Sequence, residues 1–169
     1  MVTIRGAVMK HDRFLLGILV FIALLVAAAL TLFFTRQDMQ TYGAEAAPEG
    51  VMRNYVLALQ NRDFERAYGY LADKDNKPTL DAFRQAFLNR QLDISNAAIQ
   101  IGSVEMIGSD QAMVEVTIVY ASSDPFSTGW SSNETALLVE QDGAWRISSM
   151  PYPYWGWDWY QPTAAPVKP

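Results

Sequence analysis

The chain has 169 residues and a formal net charge of −5, enough length for one ordinary domain with additional segments. It has no cysteine, which excludes disulfides and thiolate metal sites, and its single histidine, His11, precedes any folded domain downstream. That domain therefore cannot use Ser-His or Cys-His catalysis or a histidine-based metal site. The acidic balance argues against a nucleic-acid partner.

Residues 14–34 form an apolar run without a charged side chain. As a helix, these residues would extend about 31 Å, the thickness of a bilayer's hydrocarbon core. A secretory signal peptide is the alternative. The apolar region of a signal peptide is usually shorter and ends close to its cleavage site. Here the nearest small-residue cleavage site, 44–46, lies well beyond the apolar run. We therefore predict a transmembrane helix over 14–34 that binds the lipid bilayer.

The charges on either side of this run predict its orientation. Basic residues precede the run and acidic residues predominate after it, so residues 1–13 are expected in the cytoplasm and the rest outside a bacterial plasma (inner) membrane. Inside the run, Ala23, Ala27 and Thr31 recur every four residues. Small residues at this spacing allow helices to pack closely in lipid, so these three are candidate packing residues.

Residues 35–49 are polar and lack apolar periodicity, which predicts a linker. Helical periodicity follows from residue 50, first through Val51, Tyr55 and Leu59, and then in a second short helix after a polar break at 61–63. After the loop 73–78, Thr79 is a suitable N-cap for a third helix.

After Asp93 the apolar period changes to two, which is typical of strands. The phase of the alternation slips at Gly102, which predicts a bulge. Residues 133–141 and 145–149 read as two further strands, and Asp142-Gly143 between them predicts a tight turn that places Trp145 and Ile147 in the core. The predicted class is α+β, with three helices packed on a curved antiparallel sheet of about four strands within residues 50–150.

Three stretches carry a family resemblance: residues 51–72, 78–90 and 142–147. Together they resemble the nuclear transport factor 2-like (NTF2-like) superfamily, in its bacterial membrane-anchored form. The resemblance implies an α+β cone with an internal cavity, where enzymes of the superfamily use an Asp with a Tyr or His. The loop 73–78 is too short for the strand hairpin found in many members, which implies a shallower cavity.

We assign no catalytic, cofactor-binding or metal-binding residue. Glu105 and Glu115 lie in the outward phase of their strands, and Tyr120 points inward without an acidic neighbour. A general base needs burial and a nearby partner, and none of these carboxylates has both. Tyr120 is therefore interpreted as a core aromatic residue, and no cofactor is expected.

The most unusual segment, 151–169, is aromatic at its beginning and rich in proline at its end. It could fold back over its own domain, dock on another protein, or lie at a membrane interface, because Trp and Tyr are typical of all three settings. The candidate partner-binding residues are Tyr152, Tyr154, Trp155, Trp157, Trp159 and Tyr160.

The leading hypothesis is a non-catalytic, single-pass, membrane-anchored accessory or assembly subunit. Its partners would be other subunits of a bacterial membrane complex, for example a respiratory or photosynthetic electron-transfer complex such as alternative complex III. The alternatives are a domain that binds or transforms a small hydrophobic ligand and a cell-wall-associated binding module. A deep pocket with a buried carboxylate near Tyr120 would favour an enzyme, whereas a filled cavity with an apolar outer patch would favour a subunit.

Overall fold

A computed structural model of the chain describes residues 13–37, 41–122 and 129–162. It divides into two compact units, Met1–Thr41 and Tyr42–Pro169, which are described separately. The first unit contains helix α1 (Arg13–Gln37). The second contains α2 (Pro48–Gln60), α3 (Phe64–Gly69), α4 (Leu80–Leu88), β1 (Ala97–Ile107), β2 (Gln111–Tyr120), β3 (Trp130–Gln141) and β4 (Ala144–Ser149).

Helix α1 corrects the prediction of a transmembrane helix. Within the described residues, no helix combines the length and the apolarity that crossing a membrane requires. The predicted transmembrane span over 14–34 and the single-pass localisation are therefore wrong. Residues 1–12, predicted to be cytoplasmic, lie outside the described part of the chain.

The small residues of α1 are exposed, and they make a contact along the helix itself. The Thr31 hydroxyl donates a hydrogen bond to the carbonyl oxygen of Ala27, at 2.8 Å. Ala23 lies one turn before Ala27 and is likewise exposed. That these three are helix-packing residues stays a prediction.

Two of the three helices of the second unit, α3 and α4, begin at the predicted positions, where local polar side chains cap them. Asp63 accepts a hydrogen bond from the backbone N–H of Arg66 at 3.2 Å, and Thr79 accepts one from the N–H of Ala82 at 3.2 Å. These bonds satisfy N–H groups that a helix start leaves without a partner in the helix. In α2, Pro48 occupies the first turn, where a missing N–H costs little.

Part of the predicted linker is fastened to α2 by a buried amide. Asn54 is fully buried; its Nδ2 donates to the carbonyl oxygen of Gly43 and its Oδ1 accepts from the Gly43 N–H, both at 2.9 Å. Glu45 accepts hydrogen bonds from the same Nδ2 at 3.1 Å and from the Tyr70 hydroxyl at 2.6 Å. The bond from Tyr70 contributes most to lowering the pKa of Glu45. The folded unit therefore begins near Tyr42 rather than at residue 50.

The four strands form one antiparallel sheet in the order β1-β2-β3-β4. The register shifts between Ile101 and Val104, which confirms the predicted bulge. Asp142 and Gly143 both have positive φ, 53° and 74°, as the tight turn between β3 and β4 requires. The predicted α+β arrangement of three helices and four strands is confirmed for this unit.

One backbone connection joins the helices to the sheet. The Ile147 N–H donates to the Tyr70 carbonyl oxygen and the Ala72 N–H donates to the Ile147 carbonyl oxygen, both at 2.8 Å. Ile147 is fully buried, as predicted. Trp145, predicted to be in the core, is only half-buried and packs against the core two residues nearer the turn.

Two adjacent leucines of β3 test this assignment of the sheet faces. Leu138 is 1% exposed and Leu137 is 41% exposed. Leu138→Ala should lower the free energy of unfolding by about 2–5 kcal/mol, because it removes a buried side chain and leaves a cavity. Leu137→Ala, the matched control, should cost less than about 1 kcal/mol. Urea denaturation followed by circular dichroism measures both, and equal costs would contradict the assigned faces.

Candidate protein-binding surface

The aromatic segment 152–160 folds over its own domain and presents its rings on two sides. Three rings are buried and belong to the hydrophobic core, those of Tyr154, Trp155 and Trp159, while Tyr160 is half-buried. The other two rings are exposed, Tyr152 by 59% and Trp157 by 88%. A non-helical chain can divide its rings in this way because turns reverse it at short intervals, as in the hydrogen bond from the Tyr154 N–H to the Pro151 carbonyl oxygen.

Tyr154 lies between the helices and the sheet. Its carbonyl oxygen accepts a hydrogen bond from the Tyr55 hydroxyl of α2 at 2.7 Å, and its own hydroxyl donates to the carbonyl oxygen of Ala97 in β1 at 3.0 Å. Both tyrosine side chains are fully buried. The segment therefore occupies space inside the α+β unit, where the resemblance implied a cavity.

Trp159 continues this packing onto α4. Its ring lies 5.1 Å from the ring of Phe83 and 5.1 Å from that of Trp155, measured between ring centres. A side chain at Gly156 would meet the Trp159 ring, since a Cβ built there lies 2.4 Å from Nε1. Glycine at this position is therefore required by the close approach of backbone and indole.

Tyr160 closes the segment against the loop after α3. Its hydroxyl donates to the Ala72 carbonyl oxygen at 2.6 Å, its N–H donates to the Asn76 carbonyl oxygen at 3.1 Å, and its ring stacks on Trp155 at 5.6 Å. Burial raises the pKa of Tyr160, and it raises that of Tyr154 to about 12. Ionising either phenol would place a charge in an apolar interior.

The described part of the interior carries no acid–base pair. Apart from tyrosine and tryptophan, Asn54 is the one buried side chain with polar atoms among the described residues, and no described Asp or Glu is buried. Glu105 and Glu115 are exposed, in agreement with the predicted strand phase. Tyr120, interpreted as a core aromatic residue, is half-buried at the rim of the core, where its hydroxyl donates to the Tyr152 carbonyl oxygen at 3.2 Å.

Four aromatic residues are linked in pairs by a contact or by a shared groove, and we call them the aromatic surface: Tyr120, Trp130, Tyr152 and Trp157. Trp130 is 62% exposed and stacks on Tyr120 with ring centres 4.2 Å apart. Tyr120 bonds to the backbone of Tyr152, and Tyr152 and Trp157 line one groove of about 790 Å³ beside α4. Large exposed aromatic rings that lie near one another are typical of a contact site.

Sequence analysis missed Trp130 and partly misplaced the segment's rings. Strand β3 begins at Trp130, three residues before the predicted start, so this side chain was not assigned to any surface. Of the six predicted partner-binding residues, the structure brings Tyr152 and Trp157 to the outer face. It packs Tyr154, Trp155, Trp159 and much of Tyr160 against the domain instead.

No protein-family model matches the chain, and no curated protein matches it. One similar solved structure is a SEC-C-motif-containing protein from Rhodopseudomonas palustris, with 18% identity, 63% of this chain and 79% of that chain covered, and a TM-score of 0.45. Another is an NTF2-like protein of unknown function from Shewanella oneidensis, which is 14% identical to this chain, with a TM-score of 0.43. That match covers 58% of this chain and 88% of the Shewanella chain. The fold assignment made above rests on the observed element order and sheet topology.

Two tryptophans of the segment test which rings are part of the core. Trp159→Ala should lower the free energy of unfolding by about 3–5 kcal/mol, because a buried ring is lost. Trp157→Ala, two residues away, should cost less than about 1 kcal/mol, because its ring is exposed. Chemical denaturation of the two variants decides between them, and a small cost at Trp159 would show that the segment does not pack on the domain.

The raised pKa of Tyr154 predicts a loss of stability in alkali. A phenol whose pKa is higher in the folded chain stabilises the fold below its unfolded pKa, near 10, and this contribution is lost as pH rises towards 12. The slope is at most about 1.4 kcal/mol per pH unit for one such group. Denaturation between pH 9 and 12 should therefore show a shallower decline for Tyr154→Phe than for wild type. Tyr152→Phe, which removes an exposed phenol from the same segment, is the control; equal slopes in all three chains would contradict the prediction.

Proposed function

We propose that residues 42–162 form a non-catalytic NTF2-like domain that binds a partner protein through the aromatic surface. The observation that carries the proposal is the division of one short segment: Tyr154 is buried inside the domain, while Trp157 in the same segment is 88% exposed. The segment thus fills space between the helices and the sheet and leaves large rings outside, where they are available to a protein.

The chemistry of the exposed rings supports a protein partner. Trp and Tyr are enriched among the residues that dominate binding energy, because they bury a large area with few rotatable bonds. Trp130 is held by stacking on Tyr120, and the Tyr120 hydroxyl holds the backbone of Tyr152 by a hydrogen bond to its carbonyl oxygen. Such held rings lose little conformational freedom on binding, which favours affinity.

The enzymatic alternative has no support in the described residues. It needs a deep pocket with a buried carboxylate near Tyr120, but the described carboxylates are exposed and the rings of the segment occupy the interior. The class of partner named from the sequence, a subunit of a bacterial electron-transfer complex, stays a prediction that the identity of the bound protein will test.

The test is affinity capture with the tagged full chain from cells that express it natively, comparing wild type with Tyr152→Ala/Trp157→Ala. We expect the double variant to lose one defined partner while its melting temperature stays within a few degrees of wild type. Met106→Ala is the matched control, because Met106 is 48% exposed but belongs to β1 and not to the aromatic surface. Retention of the same partner by the double variant would contradict the proposal.

A further inference from the structure

A second groove, which we call the helix-end groove, lies where α2 and α4 end and the chain leads into β1. It encloses about 450 Å³, within the range of roughly 300–1,000 Å³ that is typical of small-molecule sites. The buried part of its lining is apolar and consists of Leu59 and Leu92. Beside them, the half-buried rings of Phe64 and Phe87 stack with their centres 6.0 Å apart. None of the four residues of the aromatic surface lines this groove.

Two exposed arginines, Arg62 and Arg90, line the helix-end groove in strained backbone positions. Both have a φ of 58°, and each follows the C-cap residue of a helix, Asn61 in α2 and Asn89 in α4. Glycine is the usual residue at this position, because a side chain disfavours positive φ. Strained residues of this kind cluster at ligand sites, so a role for the two guanidinium groups is indicated.

Helix capping does not account for these side chains. Arginine near a helix end can donate hydrogen bonds to the last carbonyl oxygens, but here backbone N–H groups fill that role. The Asp63 N–H donates to the Ala58 carbonyl oxygen at 2.8 Å, and the Leu92 N–H donates to the Ala86 carbonyl oxygen at 3.0 Å. Within the described residues, neither the Arg62 nor the Arg90 guanidinium forms a hydrogen bond or an ion pair.

One carboxylate also lines the helix-end groove, that of Asp93. It accepts a hydrogen bond from the Ser95 backbone N–H at 2.9 Å. Hydrogen bonding to Ser95 contributes most to lowering the pKa of Asp93, and the charge of Arg90 contributes less. Asp93 is therefore ionised at neutral pH and held within its own loop. Two arginines and one aspartate leave the groove with one net positive charge, in a chain whose net charge is −5.

We infer that the helix-end groove binds a fatty acid, with the carboxylate on Arg62 and Arg90 and the acyl chain against the apolar lining. A guanidinium binds a carboxylate through two parallel N–H···O hydrogen bonds, which makes arginine the preferred partner of this head group. The single charge of a carboxylate matches the one net positive charge of the groove, whereas a phosphate monoester carries nearly two negative charges. The acyl chain leaves water when it packs on the leucines and phenylalanines. Because the residues differ from those of the aromatic surface, the inference does not rest on the proposed function.

The test titrates decanoate into the full chain labelled with nitrogen-15 at arginine, and NMR follows the side-chain Nε–Hε signals. Arg62→Lys, Arg90→Lys and Arg84→Lys each remove one signal and so assign it. We expect the Arg62 and Arg90 signals to shift and saturate as decanoate binds. The Arg84 signal should not shift, because this guanidinium pairs with Asp81 at 2.9 Å and does not line the groove. These local signals separate binding in the groove from binding to the exposed apolar side chains of α1.

The contribution of each arginine is measured from the signal of the other. Arg62→Gln and Arg90→Gln should each raise the Kd of decanoate about tenfold, because each removes a charge-assisted hydrogen-bonded contact to the carboxylate. Both positions are exposed, so the melting temperature should stay within a few degrees of wild type. Arg84→Gln is the matched control, since it removes one positive charge from α4 outside the groove, and it should leave the Kd unchanged.

Two further ligands test the two halves of the site. Acetate has the head group without the chain and decanol has the chain without the charge, so each should shift the arginine signals far less than decanoate does. Shifts with acetate equal to those with decanoate would overturn the inference, because the apolar lining would then contribute nothing. An equal rise of Kd in Arg84→Gln and in the two groove variants would also overturn it, because binding would then follow net charge. The affinity capture described above is a separate measurement, and its failure would leave these results standing.

Discussion

The second unit depends on the packing of its aromatic segment, 152–160, between the helices and the sheet. The central contact of that packing is the hydrogen bond from the Tyr55 hydroxyl to the Tyr154 carbonyl oxygen. The two residues lie 99 positions apart in sequence, and both are fully buried. A buried hydroxyl or carbonyl without a partner would be costly, so each of these groups requires the other. The bond therefore fixes where the segment enters the domain.

The division of the remaining rings follows from that entry point. Once Tyr154 is inside, the close approach at Gly156 brings Trp159 onto Phe83 of α4, and Tyr160 reaches the loop after α3. Trp157 lies between two buried rings and has no described neighbour to cover it. The same packing that completes the core thus exposes the ring on which the proposed partner binding rests, so fold and function share one segment.

Features with local chemical causes could be predicted from the sequence. The caps at Asp63 and Thr79, the bulge near Gly102 and the turn at Asp142-Gly143 depend on residues close in the chain, and the structure has all of them. Asn54 was missed, because an amide in an apolar helix pattern reveals its role only when Gly43 is beside it. For the same reason, Tyr154 and Trp157 were equal candidates for partner binding in the sequence. Neither helical nor strand periodicity applies to their segment, and the contacts that bury Tyr154 come from residues distant in the chain. The prediction for the apolar run 14–34 failed for another cause, because the length of the run and its lack of charge were taken as evidence of a membrane-spanning helix.

The claim that the segment completes the core is tested most directly by oxidative footprinting of the native full chain, with mass spectrometry resolving the tryptophans. Trp130, which is 62% exposed, serves as the internal reference for an accessible indole. The account predicts that Trp155 and Trp159 are oxidised far more slowly than Trp130 and become equally reactive only when the chain unfolds. Oxidation of Trp155 and Trp159 at the rate of Trp130 in the native chain would contradict it.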